Sequence, residues 1–187
     1  EKIEVIIADG CSTDGTINII NNLKNKFINL QIISNNEKIV STGFNQALNY
    51  SMGEYILRVD GHCELPPNYI SRCIEIIHSS KADIVGGCIK TISNGLIGEA
   101  IALAQSSLFG VGGVKFRTSN NNVSFVDTLA FGLHKRQLFA EIGGYDEDMI
   151  CNQDDEFNFR ATQYNKVILM DSALVIKYFA RSSYAKL

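Results

Sequence analysis

The hydrophobic and polar positions in the first half of the chain alternate between short β-rich runs and helical stripes. Three such runs, at residues 4–8, 30–33 and 55–59, each precede a segment whose apolar residues recur every three or four positions. The last of these segments has the clearest stripe, formed by Ile70, Cys73, Ile74 and Ile77. A strand followed by a helix three times in succession predicts an α/β fold, with a mostly parallel central sheet flanked by helices.

The second half continues with strands and helices and contains no internal repeat or low-complexity linker. Strands are predicted at residues 83–92, 126–133, 166–170 and 174–178. Helices are predicted at residues 96–108, 134–142 and 154–164. We therefore expect one domain over residues 1–187.

The composition is that of an average soluble protein, with 187 residues, 45% of them hydrophobic and 20% charged. With a formal net charge of −3 the surface as a whole is a poor binder of polyanions, so nucleic acid is not an expected partner, although a local basic cluster could still hold a phosphate. The five cysteines include no C-x-x-C pair, which indicates neither a zinc site nor a disulfide framework and favours a reducing, cytoplasmic setting. No apolar run reaches the ~18 residues of a membrane span. Because Glu1 leads directly into a strand without a starting methionine, we expect the protein to begin before it.

Two carboxylates directly follow predicted strands. Asp9 comes after the run at residues 4–8, and Asp60 comes after the run at residues 55–59. Ligands of parallel α/β sheets bind at the carboxyl ends of the strands, so both residues are candidates for a ligand site.

One glycine separates Asp60 from His62, so the two side chains can turn toward the same small volume. A carboxylate with an imidazole suits Mn²⁺ or a similar divalent cation, and suits Mg²⁺ less well. The alternative is an ordinary turn in which Asp60 caps the loop and His62 is solvated.

Three adjacent carboxylates, Asp154, Asp155 and Glu156, occupy the first turn of a predicted helix. They either complement the positive end of the helix dipole or include a general base. Asp154 and Asp155 are about 100° apart around the helix, so they cannot both face one pocket.

A glycine-rich segment at residues 110–113, followed by Lys115 and Arg117, either wraps a phosphate or forms a surface loop. It is not a Walker loop, because it lacks the Gly-Lys-Ser/Thr sequence. The lone histidines His78 and His134 are interpreted as structural or solvated.

Four segments, at residues 4–16, 45–60, 131–146 and 153–160, resemble parts of the family 2 glycosyltransferases of GT-A fold, in the same order. They are similar, in turn, to the family's second strand and nucleotide-contacting turn, the approach to its D-x-D motif, its acceptor-side strand and helix, and its E-D-x-x-L-x-x-R helix. Arg58-Val-Asp-Gly-His62, together with a Phe-Gly-Val-Gly-Gly run, further resembles the bacterial exopolysaccharide branch, such as the succinoglycan biosynthesis glycosyltransferases.

The chain departs from the family pattern in three places. His62 stands where the family usually has its second metal-binding Asp. Gln153 stands where the Glu of the E-D pair is usual, which leaves Asp154 at the position of the catalytic base. The family's first strand is missing and is expected to precede Glu1.

The resemblance implies transfer of a sugar, with inversion, from a nucleotide-diphospho sugar to a saccharide or lipid-linked saccharide acceptor in polysaccharide biosynthesis. A UDP-sugar is the most natural donor, because Asp9 would accept a hydrogen bond from the uracil N3–H. Asp154 is the implied catalytic base, Asp9, Ser12 and Asp60 the implied nucleotide-sugar contacts, and Asp60 with His62 the implied site of Mn²⁺ or Mg²⁺.

The same resemblance divides the domain into a nucleotide-binding half, residues 1–92, and an acceptor and catalytic-base half, residues 93–187. The full-length protein is expected at the cytoplasmic face of the cell membrane, held there by segments outside this chain. Two alternatives stay open: a sugar-phosphate nucleotidyltransferase, whose glycine-rich activation loop is not visible, and a non-catalytic sugar-nucleotide-binding module, which His62 and Gln153 favour.

Overall fold

Strands and helices alternate through residues 3–92 and 123–179, the parts of the chain that the computed structural model describes. The strands are β1 (Val5–Asp9), β2 (Leu30–Ser34), β3 (Tyr55–Leu57), β4 (Cys63–Glu64), β5 (Ile84–Ile92), β6 (Val123–Phe125), β7 (Leu133–Lys135) and β8 (Ile168–Phe179). The helices are α1 (Thr16–Lys24), α2 (Val40–Tyr50), α3 (Tyr69–Ser79), α4 (Arg136–Ile142) and α5 (Gln153–Gln163). The predicted α/β class is confirmed.

The pairing of the strands is mixed rather than mostly parallel. β1 and β2 form a parallel pair in which Asp9 is level with Ser34. The other described strands form a six-stranded sheet of order β3-β7-β5-β8-β4, with β6 also paired to β8. β5 and β8 are parallel, whereas the remaining described pairs are antiparallel. The expectation of a mostly parallel sheet is corrected because β7 enters between β3 and β5 and runs opposite to both.

Helix α3 covers the middle of this sheet by packing against β5 and β7. The predicted stripe is partly confirmed, since Cys73 and Ile77 are buried, together with Tyr69 and Ile76. Burying two to three such side chains contributes several kcal/mol to folding, at about 1.5–3 kcal/mol each. The core that positions the site therefore lies around the central strands.

Strand β8 contains a bulge opposite Gly87, where its register with β5 shifts. A Cβ at Gly87 would lie 2.0 Å from the carbonyl oxygen of Leu174, so the bulge leaves no room for a side chain there. Asp171 is buried beside the bulge and accepts a hydrogen bond from Arg72 Nε of α3 at 2.9 Å. This ion pair ties the helix layer to β8.

Residues 126–132 form a buried, irregular connection rather than the predicted strand. Phe131 has a φ of 58°, which is incompatible with strand geometry. The hydroxyl of Tyr69 donates to the backbone carbonyl oxygen of Phe131 at 2.6 Å. The side-chain amide of Asn158 donates to the backbone carbonyl oxygen of Leu129 at 2.8 Å. Because side chains satisfy these backbone groups, the apolar run is buried without a neighbouring strand.

Two further boundaries differ from the predictions. His134 belongs to β7, so helix α4 begins at Arg136 rather than at His134. The strands predicted at residues 166–170 and 174–178 are one strand, β8, interrupted by its bulge.

The predicted helix at residues 96–108 and the glycine-rich segment with Lys115 and Arg117 lie outside the described residues. Among the helices that are described, none has the length and hydropathy to cross a membrane. The cysteines are all free, as the composition predicts.

Candidate active site

Asp9 closes β1 and is held by the loop that follows it. The Ser12 amide donates a hydrogen bond to Asp9 Oδ2 at 2.9 Å. The Asn35 amide donates to the Asp9 carbonyl oxygen at 2.7 Å, which joins the ends of β1 and β2. Hydrogen bonds from the Ser12 hydroxyl and then from its amide lower the pKa of Asp9. Asp9 is therefore an ionised acceptor at the end of a strand, and Ser12 is the residue that orients it.

Arg58 and Asp60 form a two-point ion pair just beyond β3. Arg58 Nε donates to Asp60 Oδ1 at 3.0 Å, and Arg58 Nη2 donates to Asp60 Oδ2 at 2.9 Å. The two side chains are only 15% and 25% exposed, so water screens the pair incompletely. Burial opposes the charge of Arg58, but the hydrogen bond to Asp60 and the nearby anionic groups raise its pKa overall. Asp60 is thus held in place by two hydrogen bonds.

Asp154 lies in the first turn of α5 and is partly buried. Loss of solvent raises its pKa, the charge of Arg58 lowers it, and the neighbouring Asp155 raises it, with a net increase. A carboxylate with a raised pKa is a better proton acceptor, which suits a general base. Asp60 is hydrogen-bonded to Arg58, and Asp154 is near enough to the same guanidinium for their charges to influence each other, so two of the carboxylates that the sequence singled out lie in one region.

The other two acids of this turn have different partners. The hydroxyl of Thr128 donates to Asp155 Oδ1 at 2.5 Å. Glu156 accepts from Arg160, with Nη2 at 2.7 Å from Oε2. Asp155 and Glu156 are therefore engaged elsewhere, and Asp154 is the carboxylate of this turn that acts on Arg58. The helical wheel predicts this separation.

Arg58 is the functional residue that the sequence did not identify. It opens the Arg58-Val-Asp-Gly-His62 segment, whose pattern alone indicates no role for it. The available signal was an arginine at the end of an apolar strand, two residues before a candidate ligand. A long basic side chain at such a position can bury its stem along apolar surface and extend its charge toward an acid on another element, but a single sequence does not show which acid that is.

The aromatic ring of Tyr145 lies beneath the guanidinium of Arg58. Its ring stacks on Phe44 with centroids 4.2 Å apart and meets Phe157 edge-on at 5.6 Å. The Cζ atom of Arg58 lies 5.8 Å from the centre of the ring, within cation–π range. Burial raises the pKa of Tyr145 to about 12, so it stays a neutral phenol at physiological pH.

Arg160 fixes the turn that carries Tyr145. Its Nη1 donates to the Ile142 carbonyl oxygen at 2.5 Å, and its Nη2 donates to the Gly144 carbonyl oxygen at 2.7 Å. These are carbonyl groups at the end of α4 that the helix itself cannot satisfy. The Glu156–Arg160 pair therefore stabilises the turn that carries Tyr145 and is not itself one of the groups around Arg58.

Gln153, at the family's usual Glu position, is 6% exposed. Its Oε1 receives no hydrogen bond from the described residues. Because a glutamine side chain is neutral, Gln153 adds no charge beside Asp154.

Asp60 and His62 offer one carboxylate and one imidazole to a metal ion. His62 is exposed, and its ring packs edge-on against Tyr178 with centroids 4.6 Å apart. Each Asp60 oxygen accepts one hydrogen bond from Arg58 and keeps a further lone pair. The donors fit a divalent cation, and Mn²⁺ better than Mg²⁺. Residues 3–92 and 123–179 hold no group of three or more His, Cys, Asp or Glu side chains around one point, so an ion here needs oxygens from a ligand or water.

The two lone histidines are structural. His78 pairs with the hydroxyl of Tyr55, at 2.9 Å from Nε2. His134 is buried among Phe139 and Phe157, and burial lowers its pKa to about 4. Neither histidine joins the acids of the site.

Residues 1–138 match the family model described as "Glycosyl transferase family 2". Over 186 residues the chain is 31% identical to the "Succinoglycan biosynthesis protein ExoA" of Rhizobium meliloti (strain 1021), covering 98% of this chain and 56% of that protein. Over 194 residues it is 27% identical to the "Dolichyl N-acetyl-alpha-D-glucosaminyl phosphate 3-beta-D-2,3-diacetamido-2,3-dideoxy-beta-D-glucuronosyltransferase" of Methanococcus voltae, covering 100% and 60%. The chain thus spans less than two thirds of each relative.

Solved structures with the same fold include two nucleotide complexes. TarS of S. aureus in complex with UDP-GlcNAc superposes with a TM-score of 0.73 at 22% identity, over 96% of this chain and 50% of that chain. GalNAc-T7 with UDP, GalNAc and Mn²⁺ superposes with a TM-score of 0.73 at 14% identity, over 96% of this chain and 38% of that chain. These likenesses confirm the GT-A fold that the sequence predicts.

Proposed function

The chain belongs to glycosyl transferase family 2, and we propose that it carries the donor site and catalytic base of an enzyme that transfers a sugar from a nucleotide-diphospho sugar. The observation that carries this proposal is the ion pair of Asp60 with Arg58, together with Asp154, whose carboxylate is near enough for the charge of Arg58 to lower its pKa. One acid follows a sheet strand on the nucleotide side, and the other begins helix α5. A donor held at Asp60 would therefore lie close to a base at Asp154.

Transfer would proceed by direct displacement. Asp154 takes the proton of the acceptor hydroxyl as its oxygen attacks the anomeric carbon. The bond from that carbon to the diphosphate oxygen breaks, the nucleoside diphosphate leaves with the electron pair, and the configuration inverts. A positioned base of this kind contributes roughly 10²–10⁴-fold to the rate.

The remaining residues hold the donor. Asp9 accepts a hydrogen bond from a ring N–H of the base, and Ser12 keeps the Asp9 carboxylate oriented. Asp60 and His62 would hold Mn²⁺ or Mg²⁺, which when bound supplies positive charge for the departing diphosphate. Arg58 keeps Asp60 in place through two hydrogen bonds.

The relatives support the choice of donor and acceptor class. UDP or a UDP-sugar occupies both solved structures described above, which favours a UDP-sugar donor. The names of the two relatives refer to succinoglycan biosynthesis and to a dolichyl-linked acceptor, which favours a saccharide or lipid-linked saccharide acceptor in polysaccharide assembly. We place the full-length protein at the cytoplasmic face of the membrane, where such acceptors and donors meet.

The test combines calorimetry and turnover in the full-length protein. UDP should bind more tightly with Mn²⁺ than without it, and a UDP-sugar should be hydrolysed slowly or transferred to an acceptor. Binding without turnover would indicate a non-catalytic module. Release of diphosphate from a nucleoside triphosphate and a sugar phosphate would indicate a nucleotidyltransferase.

The His62→Ala variant tests the metal site separately. It should remove the Mn²⁺-dependent part of the UDP affinity and leave the affinity measured without Mn²⁺ unchanged. If Mn²⁺ increased the UDP affinity of this variant as much as that of the wild type, His62 would not be a metal ligand.

A further inference from the structure

Two neighbouring loops follow β1 and β2, and each contains a non-glycine residue with a positive φ. These residues are Cys11, with φ of 62°, and Lys38, with φ of 60°. The left-handed conformation is unfavourable for such side chains and persists where the surroundings impose it. The path of both loops is thus fixed, and with it the starting direction of the Lys38 side chain.

Lys38 begins beside the candidate base-binding residue. A Cβ at Gly10 would lie 3.8 Å from Cα and Cβ of Lys38 and 3.9 Å from its Cγ, so the lysine stem runs across the residue that follows Asp9. The backbone amide of Lys38 donates to the backbone carbonyl oxygen of Asn35 at 3.1 Å, and the backbone amide of Asn35 donates to the backbone carbonyl oxygen of Asp9 at 2.7 Å. Two backbone hydrogen bonds therefore connect Lys38 to the end of β1.

The charge balance at this edge calls for a cation. Two of the residues assigned to the donor, Asp9 and Asp60, are carboxylates, and the diphosphate of the donor is itself an anion, so the divalent cation proposed at Asp60 and His62 offsets only part of the negative charge. Arg58 already donates to Asp60 from Nε and Nη2. Lys38 is exposed, and no ion pair involves it within residues 3–92 and 123–179. Its ammonium is therefore available to an anion that binds next to Asp9.

We propose that Lys38 binds the phosphate groups of the nucleotide whose base is received by Asp9. The proposal rests on the proposed function and adds a residue to its donor site. A lysine ammonium suits this task because its three donors and compact charge accept phosphate oxygens from several directions. The flexible stem lets the ammonium reach past Gly10 toward a diphosphate.

The experiment compares uridine, UMP and UDP by calorimetry on the full-length protein and its variants. Lys38→Gly removes the ammonium while providing the residue that best tolerates a φ of 60°, so folding should not suffer. Lys38→Met keeps the stem without the charge. Lys24→Met, at the exposed end of α1, is the matched control.

Both Lys38 variants should bind UDP at least ~10-fold more weakly, the usual effect of losing a charge-assisted hydrogen bond, and bind uridine as the wild type does. The UDP affinity of the variants should also depend less on salt. Lys24→Met should match the wild type for all three ligands.

Unchanged UDP affinity in Lys38→Gly would overturn the assignment. An equal loss for uridine and UDP would also overturn it, because the loop would then act on the base. A wild-type protein that binds neither uridine nor UDP would instead overturn the proposed function, so the two failures are distinct.

Discussion

Asn45 holds both backbone polar groups of Tyr145. Its Nδ2 donates to the Tyr145 carbonyl oxygen at 2.8 Å, and its Oδ1 accepts from the Tyr145 amide at 2.9 Å. Asn45 belongs to α2, whereas Tyr145 follows α4 and lies beneath Arg58. One side chain therefore connects α2 to the turn after α4 in the way that a neighbouring strand would.

Gly144 is the residue that allows this connection. A Cβ at this position would lie 2.3 Å from Asn45 Oδ1, so Gly144→Ala must displace the amide and its two hydrogen bonds. We expect a loss of about 1–3 kcal/mol in the free energy of unfolding, measured with urea. Gly61→Ala is the control, because no heavy atom lies within 4 Å of a Cβ there. Equal unfolding midpoints for the two variants would contradict the role of Asn45.

Asp9→Asn tests the contact to the base. The change removes an ionised acceptor and should weaken the binding of UDP and of uridine by about 1–3 kcal/mol, the cost of an unmatched hydrogen-bonding group. Inorganic diphosphate lacks the base, so its affinity should not change. Calorimetry with the three ligands checks this, and a variant that binds UDP as tightly as the wild type would refute the contact.

Asp154 and Asp155 provide a matched pair of variants for the catalytic base. Asp154→Asn should reduce turnover by at least ~10²-fold and leave donor affinity intact, because a base acts on the transition state. Asp155→Asn removes only a partner of Thr128 and should cost far less. The measurements are steady-state turnover and UDP calorimetry. Equal losses of turnover, or a loss of UDP binding in Asp154→Asn, would show that the base is misassigned.

His134 makes stability depend on pH. Burial lowers the pKa of its imidazole to about 4 in the folded protein, against 6.5 ordinarily. Between these values the unfolded chain binds the extra proton, so acid favours unfolding. The contribution of His134 is complete above pH 6.5 and should fall by about 3 kcal/mol as the pH approaches 4.

The pH effect is isolated by His134→Gln, measured by urea unfolding at several pH values between 7 and 4 (chosen to bracket roughly this window). The difference in unfolding free energy between wild type and variant should shrink as the pH falls. His78→Gln, at an exposed position, is the control and should follow the wild type. A pH-independent difference for His134→Gln would contradict the prediction.

Local patterns predicted the parts of the molecule that depend on neighbours along the chain. The strand that ends at Asp9 and the helix that carries Asp154 were predicted because hydrophobic periodicity and strand ends are local signals. The separation of Asp154 from Asp155 followed from helix geometry alone. These are the features on which the base and donor assignments depend.

Tertiary contacts decided what the sequence could not show. Arg58 and Asp60 are two residues apart, but Asp154 comes near them only because separate elements meet in space, and no spacing along the chain encodes that. Residues 126–132 have the apolar content of a strand, yet side chains such as Tyr69 and Asn158 take the place of a strand neighbour. The antiparallel orientation of β7 could not be predicted either, because hydrophobic periodicity does not indicate the direction in which a strand runs.

Strand β8 determines when the domain can be completed during synthesis. Among the described strands, β4 and β6 pair with β8, and β5 pairs with it along its whole length. A nascent chain emerges from its N-terminal end, so β8 is the last described strand to leave the ribosome. Until it does, the edges of β4, β5 and β6 stay open to pairing with other chains. Protection from aggregation therefore begins only after translation has passed Phe179, however early the nucleotide side has emerged.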